Sequence, residues 1–166
     1  MVIDTIRRLL FCCVLCLAQA LVLNRIHLFD CATPLLYAYM PLVFPLGYPK
    51  WARLLWCFAL GLAVDTFTNT PGVAAASMTL IGAIQPYFFA LFVQRDSPGD
   101  LRPSVASIGR MKFSFYASAL VLLYCVAFFS LEMFSFSHWL WWAKCVLGSA
   151  LLTIVLILAI ENVRKP

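Results

Sequence analysis

Two ionisable side chains, Asp65 and Lys144, lie in stretches that are otherwise apolar. A charge held in hydrocarbon costs a few kcal/mol, so each needs a partner or a function. Asp65 and Asn69 are spaced i, i+4 and so share one face of a helix. Asn69-Thr70-Pro71-Gly72 supplies turn chemistry just beyond them. A polar face of this kind suits a solute site, a proton site or a structural hinge. No aromatic cage or charge cluster completes it, which favours structure over catalysis.

The remaining reactive side chains give weaker signals. Cys13-Val14-Leu15-Cys16 has C-x-x-C spacing, but its setting is apolar helix without a His or a second pair. Cys12, Cys13, Cys16, Cys57, Cys125 and Cys145 fall inside apolar stretches, where cysteine behaves as a small buried hydrophobe; Cys31 sits near a loop. Gln19 and Gln85 are single amides within spans, as interhelical hydrogen bonds require. His27 and His138 read as interfacial residues. No nucleophile–base pair, metal-ligand spacing, phosphate loop or carboxylate dyad is visible, so the expectation is no enzyme, no cofactor and no metal.

The elements that position these residues follow from composition. The chain has 166 residues, 64% of them hydrophobic and only 11% charged, with a mean hydropathy of +0.94. Soluble chains are roughly half apolar and a quarter charged. Twelve Lys/Arg and seven Asp/Glu are too few to cover a water-facing surface. This excludes a soluble enzyme, a disordered tail and a secreted disulfide scaffold. Runs this continuous do not fit a β-barrel either. The expected fold class is an all-α membrane protein forming a single polytopic domain.

A span needs ~20 mostly apolar residues. Six stretches qualify, at about 9–26, 32–46, 51–68, 73–93, 113–131 and 139–160. The second is short and carries Pro41 and Pro45, so it is expected to be kinked or partly re-entrant. Ala18-Gln19-Ala20 mimics a signal-peptide cleavage site, yet the apolar run continues past it, and a retained first span is the reading.

Six spans place both termini on one side. Arg7, Arg8, Lys50, Arg53, Arg95, Arg102, Arg110, Lys112, Arg164 and Lys165 all fall on that side, ten of the twelve basic residues. Arg25 falls opposite and Lys144 lies within the last span. The positive-inside rule makes the shared side cytoplasmic. The net charge of +5 therefore sets orientation and is not a nucleic-acid footprint. Trp51, Trp139, Trp141 and Trp142 sit at expected interfaces.

This topology puts Asp65 about 14 residues, or ~21 Å, from the cytoplasmic edge, and Lys144 ~9 Å from the outer edge of a ~30 Å core. The depths agree, so an intramembrane Asp65–Lys144 ion pair is geometrically possible. The alternative is that Lys144 snorkels outward while Asp65 helps close its helix end. Ala59/Ala63 and Gly72/Ala76 have small-x-x-x-small spacing, which lets helices approach closely.

Six short spans, the Gly61…Asp65…Asn69-Thr70-Pro71-Gly72 segment and Gln85-Pro86 together resemble the rod shape-determining MreD family. Gln19 through Asn24-Arg25-Ile26-His27-Leu28-Phe29, Thr33-Pro34-Leu35-Leu36-Tyr37, and Pro86-Tyr87 before Arg95-Asp96 resemble its Bacteroidota-type branch. The likeness covers most of the chain and is best from Gln19 to Asp96; the last two spans match in hydropathy and length. The family motifs are soft and carry no catalytic signature. The resemblance implies a non-enzymatic scaffold of the elongasome in the bacterial inner membrane, supporting cell shape and lateral peptidoglycan synthesis. It implies as partners an MreC-like bitopic protein, actin-like MreB, and RodA with its class-B penicillin-binding protein. It also implies a six-helix bundle similar to the S components of energy-coupling-factor vitamin transporters.

On the scaffold reading, Gly61, Asp65, Asn69, Pro71 and Gly72 form the family segment. Arg95, Arg102, Arg110 and Lys112 are the candidate cytoplasmic contact surface, for partner proteins or anionic lipid, with plain topology determination as the alternative for the same residues. A solute-binding subunit of S-component type is the second functional reading. It would need a pocket near the outer face, around Asp65, Asn69 and Lys144. An intramembrane enzyme is a third.

Overall fold

The computed structural model describes residues 2–21, 33–93, 101–133 and 138–163. The ends of the first span and of the tail, with Arg25, Cys31, Arg95, Arg164 and Lys165, lie outside the described residues. Those described are all-helical, with no strand. The helices are α1 (Val2–Leu21), α2 (Tyr39–Leu42), α3 (Lys50–Thr68), α4 (Val73–Phe92), α5 (Val105–Ile108), α6 (Arg110–Met133) and α7 (Trp139–Val163).

Three of them, α4, α6 and α7, are long and apolar enough to cross a membrane. Helices α1 and α3 match them in length but carry charge, Asp4, Arg7 and Arg8 in one and Lys50, Arg53 and Asp65 in the other. The bundle has the polarity expected of a chain dissolved in lipid. Large apolar side chains point outward, among them Leu55, Phe58, Leu80, Leu122, Leu147 and Leu151. Inside lie Gln19, Arg53, Asp65, Ser77, Gln85, Ser149, Thr153 and Glu161, all buried. Membrane association follows from these apolar helices.

Helices α3 and α4 pack antiparallel along their length. A Cβ built on Gly61 would lie 2.5 Å from Ala75 Cα, and one on Gly82 would lie 2.8 Å from Cys57 Sγ. Gly61 therefore sets how closely the two backbones approach. The Ala59/Ala63 spacing does not do this, because Ala59 faces outward. The core continues through α6 and α7 around Tyr116, Leu120, Tyr124, Cys125 and Ile157.

The second expected span is not a continuous helix. Residues 33–35 are irregular, Leu36–Ala38 is a 3-10 turn, α2 is a single turn, and residues 43–49 are loop and turn. Pro34, Pro41 and Pro45 remove main-chain donors along this stretch, which prevents a regular ladder. Yet Leu35, Tyr37, Tyr39, Leu42 and Phe44 are almost completely buried. The segment passes through the interior, antiparallel to α1. Cys12 Sγ donates to Met40 Sδ at 3.0 Å, and the Phe11 and Tyr39 rings meet edge-on at 6.0 Å.

Candidate functional site

An irregular segment at membrane depth must find partners for its main-chain polar groups inside the protein. Each long helix supplies some. From α1, Gln19 Nε2 donates to the Pro34 carbonyl at 3.0 Å and Gln19 Oε1 accepts from Leu36 N–H at 3.1 Å. From α7, Ser149 Oγ accepts from Thr33 N–H at 3.1 Å and Thr153 Oγ1 accepts from Leu35 N–H at 3.0 Å. From α6, the Tyr116 hydroxyl donates to the Leu42 carbonyl at 3.3 Å. From α4, Gln85 Nε2 donates to the Phe44 carbonyl at 3.3 Å and to the Tyr116 hydroxyl at 2.9 Å. From α3, Arg53 Nη2 donates to the carbonyls of Pro45 and Tyr48 at 3.1 and 3.2 Å. The two amides thus bond mainly to the broken segment's backbone rather than simply bridging helices.

Arg53 was counted in the sequence as a cytoplasmic orienting charge. It is 1% exposed, and its Nε and Nη1 have no hydrogen-bond partner, nor does Gln85 Oε1. Two further residues escaped the sequence reading. Tyr39 donates to Glu161 Oε2 at 2.6 Å, and Val105 N–H donates to Glu161 Oε1 at 3.2 Å. Glu161 belongs to α7 and is buried, just beyond the 139–160 span expected from hydropathy. The Tyr124 and Tyr37 hydroxyls are also hydrogen-bonded to each other. Buried tyrosines opposite a proline-rich apolar run are the one sequence signal for these pairs.

The Gly61–Gly72 segment forms the other polar centre. Asn69 ends α3 in the left-handed conformation, φ 61°, and Gly72 opens α4 at φ 87°. Gly72 has no side chain with which to cap α4, and Asp65 does so instead. Its Oδ1 accepts from Ala74 N–H at 2.9 Å and from the Thr70 hydroxyl at 3.3 Å. Its Oδ2 accepts from Gly72 N–H at 3.1 Å and Ala75 N–H at 2.9 Å. Three main-chain donors that a helix start leaves orphaned are thereby satisfied, and the carboxylate sits at the positive end of the α4 dipole.

This corrects the ion-pair expectation. Asp65 is 3% exposed with both oxygens committed to the α4 start, while Lys144 is exposed on α7. Matching depth did not bring the two together: Asp65 turns inward to the α4 start, while Lys144 lies exposed on α7. The alternative reading was nearer, although Asp65 caps the next helix rather than its own. Asn69 does not share the Asp65 face either; it is exposed beyond the helix end. Pro71 lies in the turn, also exposed.

The candidate cytoplasmic surface divides. Arg110 and Lys112 are exposed on the first turn of α6. Arg102 instead lines a cavity with Arg7 and Arg8. The residues beside it are tied down: a Ser104–Ser107 capping box starts α5, and Leu46 N–H donates to the Leu101 carbonyl at 3.3 Å. At the opposite end a cavity of about 500 Å³ is lined by Thr68, Thr70, Phe128, Glu132, Trp141 and Cys145, among others. Cys145 is disulfide-bonded, so it is not the inert small hydrophobe the sequence suggested. Cys12, Cys13, Cys16, Cys57 and Cys125 are free thiols. Among the described residues, no group of three His, Cys, Asp or Glu side chains could hold a metal.

Comparison of the chain with family models, curated proteins and solved structures finds no match.

Proposed function

We propose that this chain is a non-enzymatic, multi-pass scaffold of the MreD type in the bacterial inner membrane, supporting cell-wall elongation. The observation that carries this reading is how the interior polar groups are used. Gln19, Arg53, Asp65, Gln85, Tyr116, Ser149 and Thr153 all bond to the protein's own backbone. That equipment stabilises a bundle shape. The outward faces of the long helices remain apolar, which suits packing against lipid and partner spans. On this reading the five long helices and the broken segment make six crossings, similar to an S-component bundle, with both termini cytoplasmic. The disulfide at Cys145, near the Trp139 end of α7, supports placing that end in the oxidising compartment. An MreC-like bitopic protein and RodA with its class-B penicillin-binding protein would pack against the spans. MreB would approach the exposed Arg110 and Lys112.

The test is co-purification from the native host after mild solubilisation, combined with depletion of the chain. Recovery of an MreC-like protein, with cells rounding on depletion, supports the scaffold. Normal shape and no such partner overturn it.

The 500 Å³ cavity favours one second reading, a solute-binding subunit of a vitamin transporter, although Asp65, Asn69 and Lys144, the residues expected around such a pocket, do not line it. Its size lies within the ~300–1,000 Å³ range of small-molecule pockets. A stoichiometric vitamin-sized ligand in the purified protein would support it, and a ligand-free protein carrying a bitopic partner would exclude it.

A further inference from the structure

Arg7, Arg8 and Arg102 come from distant parts of the sequence, yet line one cavity of about 260 Å³. Among the described residues no Asp or Glu lines it, and none of the three arginines is in an ion pair. Glu161 does not line the cavity, and its two oxygens accept from the Tyr39 hydroxyl and Val105 N–H. Among the described residues, the wall therefore sets three positive charges with no carboxylate between them.

Arg8 is held in place by aromatic rings. Its guanidinium carbon lies 4.2 Å from the Tyr48 ring centroid and 5.6 Å from that of Phe44. Its Nη1 is enclosed by protein yet donates to no acceptor. An anchored guanidinium with a spare, desolvated donor suits a phosphate oxygen. The rest of the cavity is apolar, with Phe11, Val43 and Ile160 on its walls. The neighbouring surface of α1 exposes Ile6, Leu9 and Leu10. A free anion would gain nothing from these groups, whereas an amphiphile would cover them. Basic pockets between membrane helices recognise anionic headgroups in this way.

We propose that this cavity binds the phosphate headgroup of an anionic membrane lipid. Arg7, Arg8 and Arg102 contact the phosphate, and an acyl chain lies along Phe11, Val43 and Ile160. The site requires the membrane placement of the bundle but not the scaffold function, so either can fail alone.

The test titrates the full-length chain, in neutral detergent, with phosphatidylglycerol, and counts bound lipid by native mass spectrometry. One saturable lipid is expected, with phosphatidylcholine bound at least about tenfold more weakly. Each charge near a membrane surface contributes roughly fivefold in affinity, so the R7Q/R8Q/R102Q variant should bind roughly a hundredfold more weakly. The control K50Q/R110Q/K112Q removes three exposed charges and should change binding by less than about threefold. Equal losses in the two variants would mean diffuse surface attraction and overturn the site. Inorganic phosphate displacing the lipid at comparable concentration would overturn the lipid assignment. Should the triple variant fold poorly, R102Q decides: its side chain is exposed, a roughly fivefold loss supports the site, and unchanged binding overturns it.

Discussion

The carboxylate of Asp65, near the end of α3, accepts the main-chain N–H of Ala75 at 2.9 Å on the following helix. With its bonds to Gly72 and Ala74, it ties the two helices together at their shared turn. Asp65→Ala leaves three donors unpaired and should destabilise the protein by about 3 kcal/mol, from the loss of a cap and the desolvated groups left behind. Asp65→Asn keeps one acceptor oxygen and should lose about half of that. Lys144→Ala, at an exposed position, should stay within about 0.5 kcal/mol. Thermal unfolding in detergent reads all three. A large Lys144→Ala effect that disappears in the Asp65→Ala background would restore the ion pair.

Gly61 and Gly72 are expected to differ for reasons of geometry. A side chain at Gly61 meets the Ala74–Ala75 backbone, which cannot rotate away, so Gly61→Ala should cost about 1–3 kcal/mol through forced separation of α3 and α4. At Gly72 the space is open and only the left-handed backbone is strained, so Gly72→Ala should cost about 1 kcal/mol. The order of the two melting temperatures checks this. A more damaging Gly72 substitution would contradict the close-approach account.

Arg53 donates to two carbonyls of the broken segment from a nearly inaccessible position. Arg53→Met preserves much of the volume but strands the Tyr48 carbonyl and leaves the Pro45 carbonyl with the Tyr48 N–H alone, with an expected loss of about 1–3 kcal/mol. Arg110→Gln, an exposed change of equal charge, should stay within about 0.5 kcal/mol. Protease sensitivity of residues 43–49 should rise in the first variant alone. Equal behaviour would return Arg53 to a purely orienting role.

Tyr39 and Glu161 join the broken segment to the end of α7. Tyr39→Phe removes one charge-assisted donor from a buried carboxylate and should cost about 1.5–3 kcal/mol. Glu161→Gln retains an acceptor for Val105 N–H and should be milder than Glu161→Leu. The three unfolding temperatures order these variants, and a neutral Tyr39→Phe would show that Glu161 finds enough partners elsewhere.

The sequence by itself determined four of the long helices closely, because hydropathy over a span's length leaves few alternatives; it missed the early start of α1 at Val2 and how far the second span unwinds. Spans expected at 51–68 and 73–93 are helices at Lys50–Thr68 and Val73–Phe92, and the last two differ by only a few residues at their ends. It also picked out Asp65 as a buried charge needing a reason, and Pro41 and Pro45 as breaks. Depth, however, is one coordinate of three. It matched Asp65 with Lys144, while the packing that buries the first and leaves the second exposed kept them apart. The tertiary structure alone decided where the polar side chains go. The groups that Gln19, Arg53, Gln85, Ser149 and Thr153 bond are main-chain carbonyls and amides, which every residue carries and no sequence pattern marks. Only the packing of five helices around an unwound segment shows which of them need partners. Arg7, Arg8 and Arg102 likewise count as topology signals along the chain. They share a cavity only because the fold brings the start of α1 beside the loop before α5.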